Sequence, residues 1–351
     1  MNDSRRYPMP MPFGWFQVAW PDEIPTGAAI PLYYFGRHLT AWRDQTGQAH
    51  LMDAFCPHLG SHLGHGGIVQ DDCIVCPLHN WAFDADGHNV DIPYSTRTNQ
   101  KARLRTYPVV ERNGLVLAWY HPTDAPPTFD PPEIPEFSGD PAWSDVYRRH
   151  YTVGCHWQEV AETTADAAHV QAHLVRYEQQ LNGGQPVPVR KPGVESYETD
   201  GPIARMRFAQ GFPTPNGIVE GRIDTDAYGP GLALTWFTGL VDTVLLGCAV
   251  PVDEEHCELR FNFVVRHLGD PAMTSSLADA FVEEIHAQTV EDVPVWENKA
   301  YIPHPALADN DGPIMKFRRW ASQFYAEGVS DEDRAWAPGP PESDRSGLVE
   351  A

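Results

Sequence analysis

The sequence predicts an α+β protein with two domains: a small all-β domain, then an antiparallel sheet with helices against one face. The chain has 351 residues, beyond the size at which a single core usually stays undivided. Short β-like runs such as "GLVLAWYH" alternate with Pro and Gly turn signals in the N-terminal third. The second half mixes helical periodicity with strand-like runs, which is typical of α+β folds.

Composition divides the chain into four segments. Residues 10–121 are predicted to form the all-β domain. Residues 122–145 include "PTDAPPTFDPPEIPEFSGDP", which is too rich in proline for a helix and predicts an extended linker. Residues 146–327 are predicted to form the second domain. Residues 328–351 are acidic and rich in Pro, Gly and Ser, which predicts a flexible tail.

The second domain is predicted to contain two helical segments with strands between them. The first helical segment runs from Trp157 to Tyr177 and the second from about Ala272 to Ala300. Between them, "GIVEGRIDTDAY", "LALTWFTGLVDTVLLGCAV" and "CELRFNFVVRHL" have the composition of strands. This order favours one antiparallel sheet with helices packed against it.

Composition also narrows the function classes. The formal net charge is −23, from 48 acidic residues against 25 Lys and Arg, so we expect no nucleic-acid partner and no anionic membrane partner. No apolar run approaches the roughly 18 residues of a membrane span, and no apolar segment follows the N-terminus as in a signal peptide. Six cysteines are too few for a disulfide scaffold, and their clustering favours metal binding in a reducing compartment. We therefore expect a cytoplasmic, metal-binding protein.

The first candidate metal site consists of two short Cys/His pairs. Cys56 and His58 are separated by one residue, Cys76 and His79 by two, and seventeen residues separate the pairs. Two thiolates and two imidazoles suit a structural zinc ion, and they also suit a two-iron cluster with two histidine ligands. The glycine-rich loops can direct N–H groups at sulfur, and the helical H-x3-5-H pair of zinc fingers is missing, which favours the cluster.

The second candidate site lies in "QEVAETTADAAHVQAHL". Four chemically active side chains follow one another at i, i+4, i+7 and i+11, namely Glu162, Asp166, His169 and His173. On a continuous helix this spacing places them on one face, where two histidines at i and i+4 can bind one metal ion. The alternative is a solvated polar face of an amphipathic helix.

The second helical segment carries a further candidate side chain, a carboxylate on an apolar face. An apolar stripe at helical spacing is formed there by Leu277, Phe281, Ile285 and Trp296. Asp292 lies on this stripe, where a buried carboxylate is costly unless it is paired or binds a metal. Glu291 lies off the stripe and is predicted to be exposed. Pro294 is expected to kink or break the helix near the site.

These motifs resemble those of a known family. "CPHLG" and "CPLHNW" resemble the Rieske [2Fe–2S] motif, and the segment with the two histidines resembles the iron motif of Rieske non-haem iron oxygenases. The resemblance implies an N-terminal Rieske domain and a C-terminal helix-grip catalytic domain. It also implies that Cys56 and Cys76 hold the buried iron of the cluster, and that His58 and His79 hold the outer iron.

The resemblance assigns roles in the second domain too. It implies a mononuclear Fe(II) held by His169, His173 and a carboxylate from a distant helix, for which Asp292 on the apolar stripe is the candidate. It implies that Asp166 connects an iron histidine to a Rieske histidine of a neighbouring subunit, and that Glu162, one turn earlier, acts near the iron. The implied assembly is a homotrimer.

The C-terminal stretch indicates a branch of the family. "WENK" and "DGPI…FRRW…QFY" resemble the 3-ketosteroid 9α-hydroxylase oxygenase components and the cholesterol 7-desaturases. The resemblance implies a terminal oxygenase that takes NAD(P)H electrons through a ferredoxin and/or flavin reductase. It would use O2 to hydroxylate or desaturate an apolar, steroid-like or polycyclic substrate. The alternatives are tailoring or oxidative cyclisation of a secondary metabolite, and a Rieske electron carrier without oxygen chemistry.

Sheet aromatics are candidates for the wall of a substrate pocket. The strand-like runs carry Trp236, Phe237, Phe261 and Phe263. Each is also compatible with an ordinary core position.

Overall fold

The computed structural model describes residues 6–188, 190–191 and 193–326. The predicted tail, residues 328–351, lies outside this part of the chain. Within the described residues, no helix has both the length and the apolar character that crossing a membrane would require.

The N-terminal part consists of short antiparallel strands. These are β1 Gly14–Ala19, β2 Ala29–Tyr34, β3 Arg37–Arg43, β4 Ala49–Asp53, β5 Ile68–Gln70, β6 Cys73–Val75, β7 Ala82–Phe83, β8 Asn89–Asp91, β9 Thr106–Tyr107, β10 Val109–Arg112 and β11 Leu115–Tyr120. They pair in the orders β1-β11-β10, β2-β3-β4-β9 and β5-β6-β7-β8. The sheet β5-β6-β7-β8 lies beside the two cysteine loops, because one loop precedes β5 and the other connects β6 to β7.

The C-terminal part is a large antiparallel sheet with helices, as predicted. Its elements are β12 Tyr147–Val153, α1 Trp157–Ala161, α2 Ala167–Leu181, β13 Gly193–Asp200, β14 Ile203–Thr214, β15 Gly217–Tyr228, β16 Leu232–Thr238, β17 Thr243–Pro251, β18 Cys257–Val265, α3 Pro271–Asn298 and α4 Ile314–Ala321. Short 3-10 helices occupy Pro21–Glu23, Pro135–Phe137, Glu162–Ala165 and Ser322–Phe324. The sheet order is β12-β18-β17-β16-β15-β14-β13. Helix α2 packs on β14, and α3 packs on β12 and β18.

Strand β11 joins the two parts through both of its faces. Every residue of "LVLAWY" is buried. Because side chains alternate along a strand, Val116 and its neighbours on that face pack into the N-terminal core. Leu117 and Trp119, on the other face, pack against Leu234 and Leu246 of the large sheet. One strand therefore contributes to two cores and fixes the N-terminal part on the large sheet.

The helix expected over Trp157–Tyr177 is interrupted, which corrects the prediction of a continuous helix. Helix α1 ends at Ala161, a 3-10 turn follows, and Asp166 leaves helical geometry with φ −97° and ψ 81°. The hydroxyls of Thr163 and Thr164 donate to carbonyl groups three residues earlier. Such side-chain bonds compete with regular helix geometry, and Asp166 then starts α2 as its N-cap.

Helix α3 agrees closely with the predicted segment. Asp270 caps it by accepting hydrogen bonds from the first N–H groups, and Pro271 occupies the first turn. The helix continues through Pro294 to Asn298, so the expected break is not observed. A single unbroken helix therefore carries both the apolar stripe and Asp292.

Candidate metal centres and an adjoining cavity

The two cysteine loops have nearly the same backbone fold. In each loop the cysteine carbonyl accepts a hydrogen bond from the residue four positions later, Gly60 at 2.9 Å and Asn80 at 3.0 Å. These two residues have positive φ angles of 76° and 57°. Glycine adopts this conformation freely and asparagine is one of the side chains that tolerate it. The loops therefore present Cys56 and Cys76 in equivalent positions.

The side chains of these loops form a site that a cluster would complete. The rings of His58 and His79 are 4.7 Å apart, and His58 stacks on Trp81 at 4.3 Å. The Nδ1 atoms of both histidines are buried and have no hydrogen-bond partner among the described residues. An unpartnered buried nitrogen is costly, so these two atoms are suited to bind metal. Cys56 and Cys76 are also buried.

The surroundings of Cys56 have two opposing effects on its thiolate form. Burial raises the pKa of the Cys56 thiol, while backbone N–H groups of His58 and Leu59 point at the sulfur and lower it. Hydrogen bonds of this kind stabilise a negatively charged sulfur ligand. The site can therefore hold thiolates once a metal compensates for their burial.

The spacing of the four donors favours a cluster over one zinc ion. Among the described residues, only His169, His173 and Asp292 form a group of three ligands whose donor atoms all lie within 4.8 Å of one another. Cys56, His58, Cys76 and His79 do not form such a group in the described part of the chain. Zinc–ligand bonds of about 2.0–2.3 Å would draw all four donors together, whereas two bridged irons need a wider site.

The second site lies between α2 and α3. His169 and His173 stand one turn apart on α2, and their Nε2 atoms are 3.2 Å apart. The Nε2 atom of His169 is 3.0 Å from Asp292 Oδ2, and that of His173 is 2.9 Å from Asp292 Oδ1. Two imidazoles and one carboxylate are the donor set of non-haem iron oxygenases, which leaves positions open for other ligands. The three side chains can therefore hold one iron.

Asp292 is the carboxylate that turns toward the histidines. It is buried. Burial raises its pKa, but hydrogen bonds with His169 and His173 outweigh this and hold the pKa below its usual range. Glu291, in contrast, has 53% of its side chain exposed. The structure thus places the two acids as the apolar stripe predicts.

Asp166 stands at the start of α2 and lines the cavity described below. Its Oδ1 accepts a hydrogen bond of 2.9 Å from the backbone N–H of His169. Burial raises the pKa of Asp166. Asp166 therefore fixes the first turn of the helix that carries both histidines.

Glu162 is held in an ion pair away from this cavity. Arg318 of α4 contacts both of its carboxylate oxygens, at 2.5 and 2.9 Å. Both side chains are only 10% exposed, and Glu162 is not part of the cavity wall. Its predicted action near the iron stays a prediction, and the geometry favours a structural contact. Sequence reasoning missed Arg318, because 156 positions separate it from its partner.

His173 has further contacts that sequence reasoning also missed. Arg176 Nη2 is 2.8 Å from its Nδ1 atom, and Glu291 Oε2 is 3.8 Å from the same atom. Arg176 Nε is in turn 3.5 Å from Glu291 Oε2. The i, i+3 spacing of His173 and Arg176 on a helix is the signal that could have indicated the first of these contacts.

A cavity of about 560 Å³ adjoins His169, His173 and Asp292. Its wall is formed by helices α1, α2, α3 and α4 and by strands of the large sheet, and it is mostly apolar. Of the predicted wall aromatics, Phe237 and Phe261 line the cavity. Its size falls in the usual range for small-molecule sites.

The other two predicted aromatics lie elsewhere. Trp236 turns to the opposite face of its strand, where its Nε1 donates to Glu136. Strand alternation explains this, because Trp236 and Phe237 are adjacent residues. Phe263 is buried against Val282 of α3 and does not reach the cavity.

Two family models match the chain. The Rieske [2Fe–2S] domain model matches residues 14–108. The 3-ketosteroid 9α-hydroxylase C-terminal domain model matches residues 118–325, more than half of the chain. The first match contains both cysteine loops, and the second contains the His169, His173 and Asp292 site.

Curated relatives match over most of the chain. A 3-ketosteroid-9-alpha-monooxygenase oxygenase component of Rhodococcus rhodochrous is 28% identical over 90% of this chain and 81% of its own length. A cholesterol 7-desaturase of Caenorhabditis elegans is 30% identical over 91% of this chain and 78% of its own length. Both comparisons span the two candidate metal centres.

Solved structures share the fold. Dicamba monooxygenase bound to dicamba superimposes with a TM-score of 0.66 at 19% identity, covering 89% of this chain and 96% of that chain. NdmB of Pseudomonas putida CBB5 gives a TM-score of 0.69 at 18% identity, covering 88% and 89%. At this identity the likeness concerns the fold alone.

Proposed function

Because this chain belongs to the Rieske non-haem iron oxygenases, in the branch defined by the 3-ketosteroid 9α-hydroxylase C-terminal domain, we propose that it hydroxylates or desaturates a steroid-like substrate. The observation that carries this proposal is the convergence of His169, His173 and Asp292 on the wall of an apolar cavity. The chain would act as the terminal oxygenase of a multicomponent system, and O2 is its co-substrate.

We assign the metal ligands from the geometry of the two centres. The [2Fe–2S] cluster would be held by Cys56, His58, Cys76 and His79. The mononuclear Fe(II) would be held by His169, His173 and Asp292. When bound, the cluster supplies single electrons and the Fe(II) supplies the site of O2 chemistry.

The chain itself binds and orients the substrate. The apolar cavity wall removes water from an apolar molecule, which favours its binding and keeps solvent away from the reacting atoms. Asp166 holds the first turn of α2 and thereby fixes the position of His169. Asp292 keeps its negative charge in a buried place because both imidazoles face it.

The assembly we propose is a homotrimer in which the cluster of one chain faces the iron site of the next. The two cysteine loops carry leucines that are largely exposed, Leu59 at 68% and Leu78 at 55%. Apolar side chains at the tips of loops that hold a redox centre are suited to contact another chain. Asp166 would then connect His169 to a Rieske histidine of the neighbouring copy.

The partners follow from the same proposal. A ferredoxin and/or flavin reductase would deliver NAD(P)H electrons to the cluster. The acidic surface implied by the net charge of −23 would favour a partner with a basic docking face. We propose a cytoplasmic location and retain the predicted domain limits of 10–121, 122–145 and 146–327.

Iron and acid-labile sulfide per chain test the proposal. Anaerobically purified protein is expected to contain about three irons and about two sulfides, which correspond to one two-iron cluster and one mononuclear iron. About two irons and two sulfides, even after Fe(II) is added back, would instead indicate an electron carrier. Zinc with no sulfide would contradict the assignment of the first site.

Analysis of the reaction products distinguishes a steroid substrate from another polycyclic metabolite. Steroids supplied with O2 and a surrogate ferredoxin and reductase are expected to gain one oxygen atom or lose two hydrogens, as mass spectrometry would show. Oxygen uptake that is uncoupled from every steroid tested would favour tailoring or cyclisation of another polycyclic metabolite by the same centre.

A further inference from the structure

The cavity wall carries one carboxylate, Glu284, that has no role in the proposed function. Three carboxylates line the cavity: Asp166, Asp292 and Glu284. Asp166 and Asp292 belong to the region around the proposed iron. No Lys or Arg lines the cavity in the part of the chain that the structure describes. Glu284 is therefore an isolated negative charge in a mostly apolar wall.

Glu284 forms a pair with Gln288, one turn further along α3. Gln288 Nε2 donates to Glu284 Oε1 at 2.8 Å. Among the described residues, Glu284 Oε2 has no hydrogen-bond partner or ion pair. Gln288 also lines the cavity and precedes Asp292 by one turn. Glu284 therefore lies two turns from Asp292, about 12 Å along the helix axis at 1.5 Å per residue.

We propose that Glu284 and Gln288 form a subsite for a hydroxyl group of the substrate, an inference that rests on the proposed function. An ionised carboxylate only accepts hydrogen bonds, so it needs a donor such as an alcohol. Gln288 can donate its second amide N–H to the oxygen of the same alcohol. The substrate is then an elongated neutral molecule with a hydroxyl at the end remote from the iron.

The same pair distinguishes alcohols from ketones and acids. A ketone oxygen only accepts, so it could bond with Gln288 but not with Glu284. A substrate carboxylate would face the negative charge of Glu284 with no cation on the cavity wall to offset it. An alcohol engages both side chains, and hydrogen bonds to charged groups are the stronger class.

A matched set of ligands tests this subsite by binding alone. The probes are 5α-androstan-3β-ol, 5α-androstan-3-one and 5α-androstane, which differ only at one carbon. Binding to the iron-loaded protein is followed anaerobically through tryptophan fluorescence, since Trp157, Trp296 and Trp320 line the cavity. Wild-type protein is expected to bind the alcohol about tenfold more tightly than the ketone.

Variants separate the subsite from general effects on the helix. Glu284→Leu is expected to reduce the preference for the alcohol to less than about threefold. The matched control is Glu283→Leu, since Glu283 is exposed, contacts Arg149 and is not part of the cavity wall. The control is expected to keep the tenfold preference.

Each result has one meaning. Equal affinity for all three probes in wild-type protein, or an unchanged preference in Glu284→Leu, would overturn the subsite and leave the proposed steroid class intact. Failure of all three probes to bind would overturn the steroid class, and the subsite with it. A preference that is lost in both variants would show that the effect does not belong to Glu284.

Discussion

At the scale of single residues, His173 connects the proposed iron to the surface of α3. Its Nε2 atom faces Asp292 and its Nδ1 atom faces Arg176 and Glu291. When Nε2 binds a metal, the ring proton sits on Nδ1 and requires an acceptor. Arg176 can only donate. Glu291 Oε2 is the nearby acceptor, but at 3.8 Å from Nδ1 it would have to move closer to accept a hydrogen bond from the metal-bound ring.

We expect Glu291→Ala to weaken iron binding about tenfold, because changes in groups that orient metal ligands typically have effects of this size. Equilibrium dialysis against Fe(II) measures the affinity directly. Glu283→Ala, which removes an exposed acid from the same helix, is the control and is expected to leave the affinity unchanged. Normal iron affinity in Glu291→Ala would show that His173 needs no acceptor there.

Asp292→Ala is expected to weaken iron binding more than Glu291→Ala does. Because it removes a ligand, iron should fall from about three to about two per chain while sulfide stays at about two. Excess Fe(II) should restore the third iron in Glu291→Ala but not in Asp292→Ala. The opposite pattern would mean that Glu291 is the ligand.

The side chains proposed as ligands of both centres could be selected from the sequence, but the contacts that support them could not. His169 and His173 are neighbours on one helix, and helical spacing places Asp292 on the buried stripe of another. The approach of Glu291 to His173 depends on how α2 and α3 pack. That packing is a property of the folded chain and leaves no periodic signal.

At the scale of elements, the sequence pattern predicts one continuous helix where the structure has two, α1 and α2, with a 3-10 turn between them. The spacing of Glu162, Asp166, His169 and His173 fits one helix face, so periodicity alone favours continuity. Thr163 and Thr164 are β-branched and therefore weak helix formers, and Asp166 is a preferred N-cap residue. In the structure the threonines lie in the 3-10 turn and Asp166 caps α2. With the helix interrupted, the Glu162 side chain faces Arg318 and does not line the cavity.

We therefore expect Glu162→Gln to act on stability. Breaking one partner of a buried ion pair costs about 3 kcal/mol, because it leaves Arg318 without its counter-charge. Denaturant unfolding measures this loss, and iron content should not change. Arg318→Met should cost a similar amount, and the double variant should cost less than the sum. Full stability with lost turnover would support the catalytic role predicted from sequence.

At the scale of the whole molecule, Asp166 is the residue expected to link two chains. Asn caps helices as well as Asp does, so Asp166→Asn should keep α2 and both metal centres intact. Without the carboxylate, electron transfer from the cluster to the iron should slow about tenfold or more. Single-turnover oxidation of the reduced cluster measures this rate. An unchanged rate would remove Asp166 from the path.

The same assembly makes a prediction about the exposed leucines of the cysteine loops. Leu78 follows Cys76 by two positions and is 55% exposed, so a charge placed there is tolerated by a single chain but not by an apolar contact between chains. Leu78→Asp should weaken each interface on the order of 30-fold. Light scattering should then show smaller species than the trimer proposed for the wild-type protein, at the same cluster absorbance.

Leu181→Asp is the matched control for this change. Leu181 is also exposed, at 41%, but it ends α2 and belongs to neither cysteine loop, so its substitution should leave the oligomer intact. Isolated chains of Leu78→Asp should keep both metal centres and lose turnover, because the proposed pairing of a cluster with the iron of another chain requires the assembly. Full turnover by a monomeric variant would show that electrons pass between the two centres of one chain, and the trimer would then not be part of the reaction.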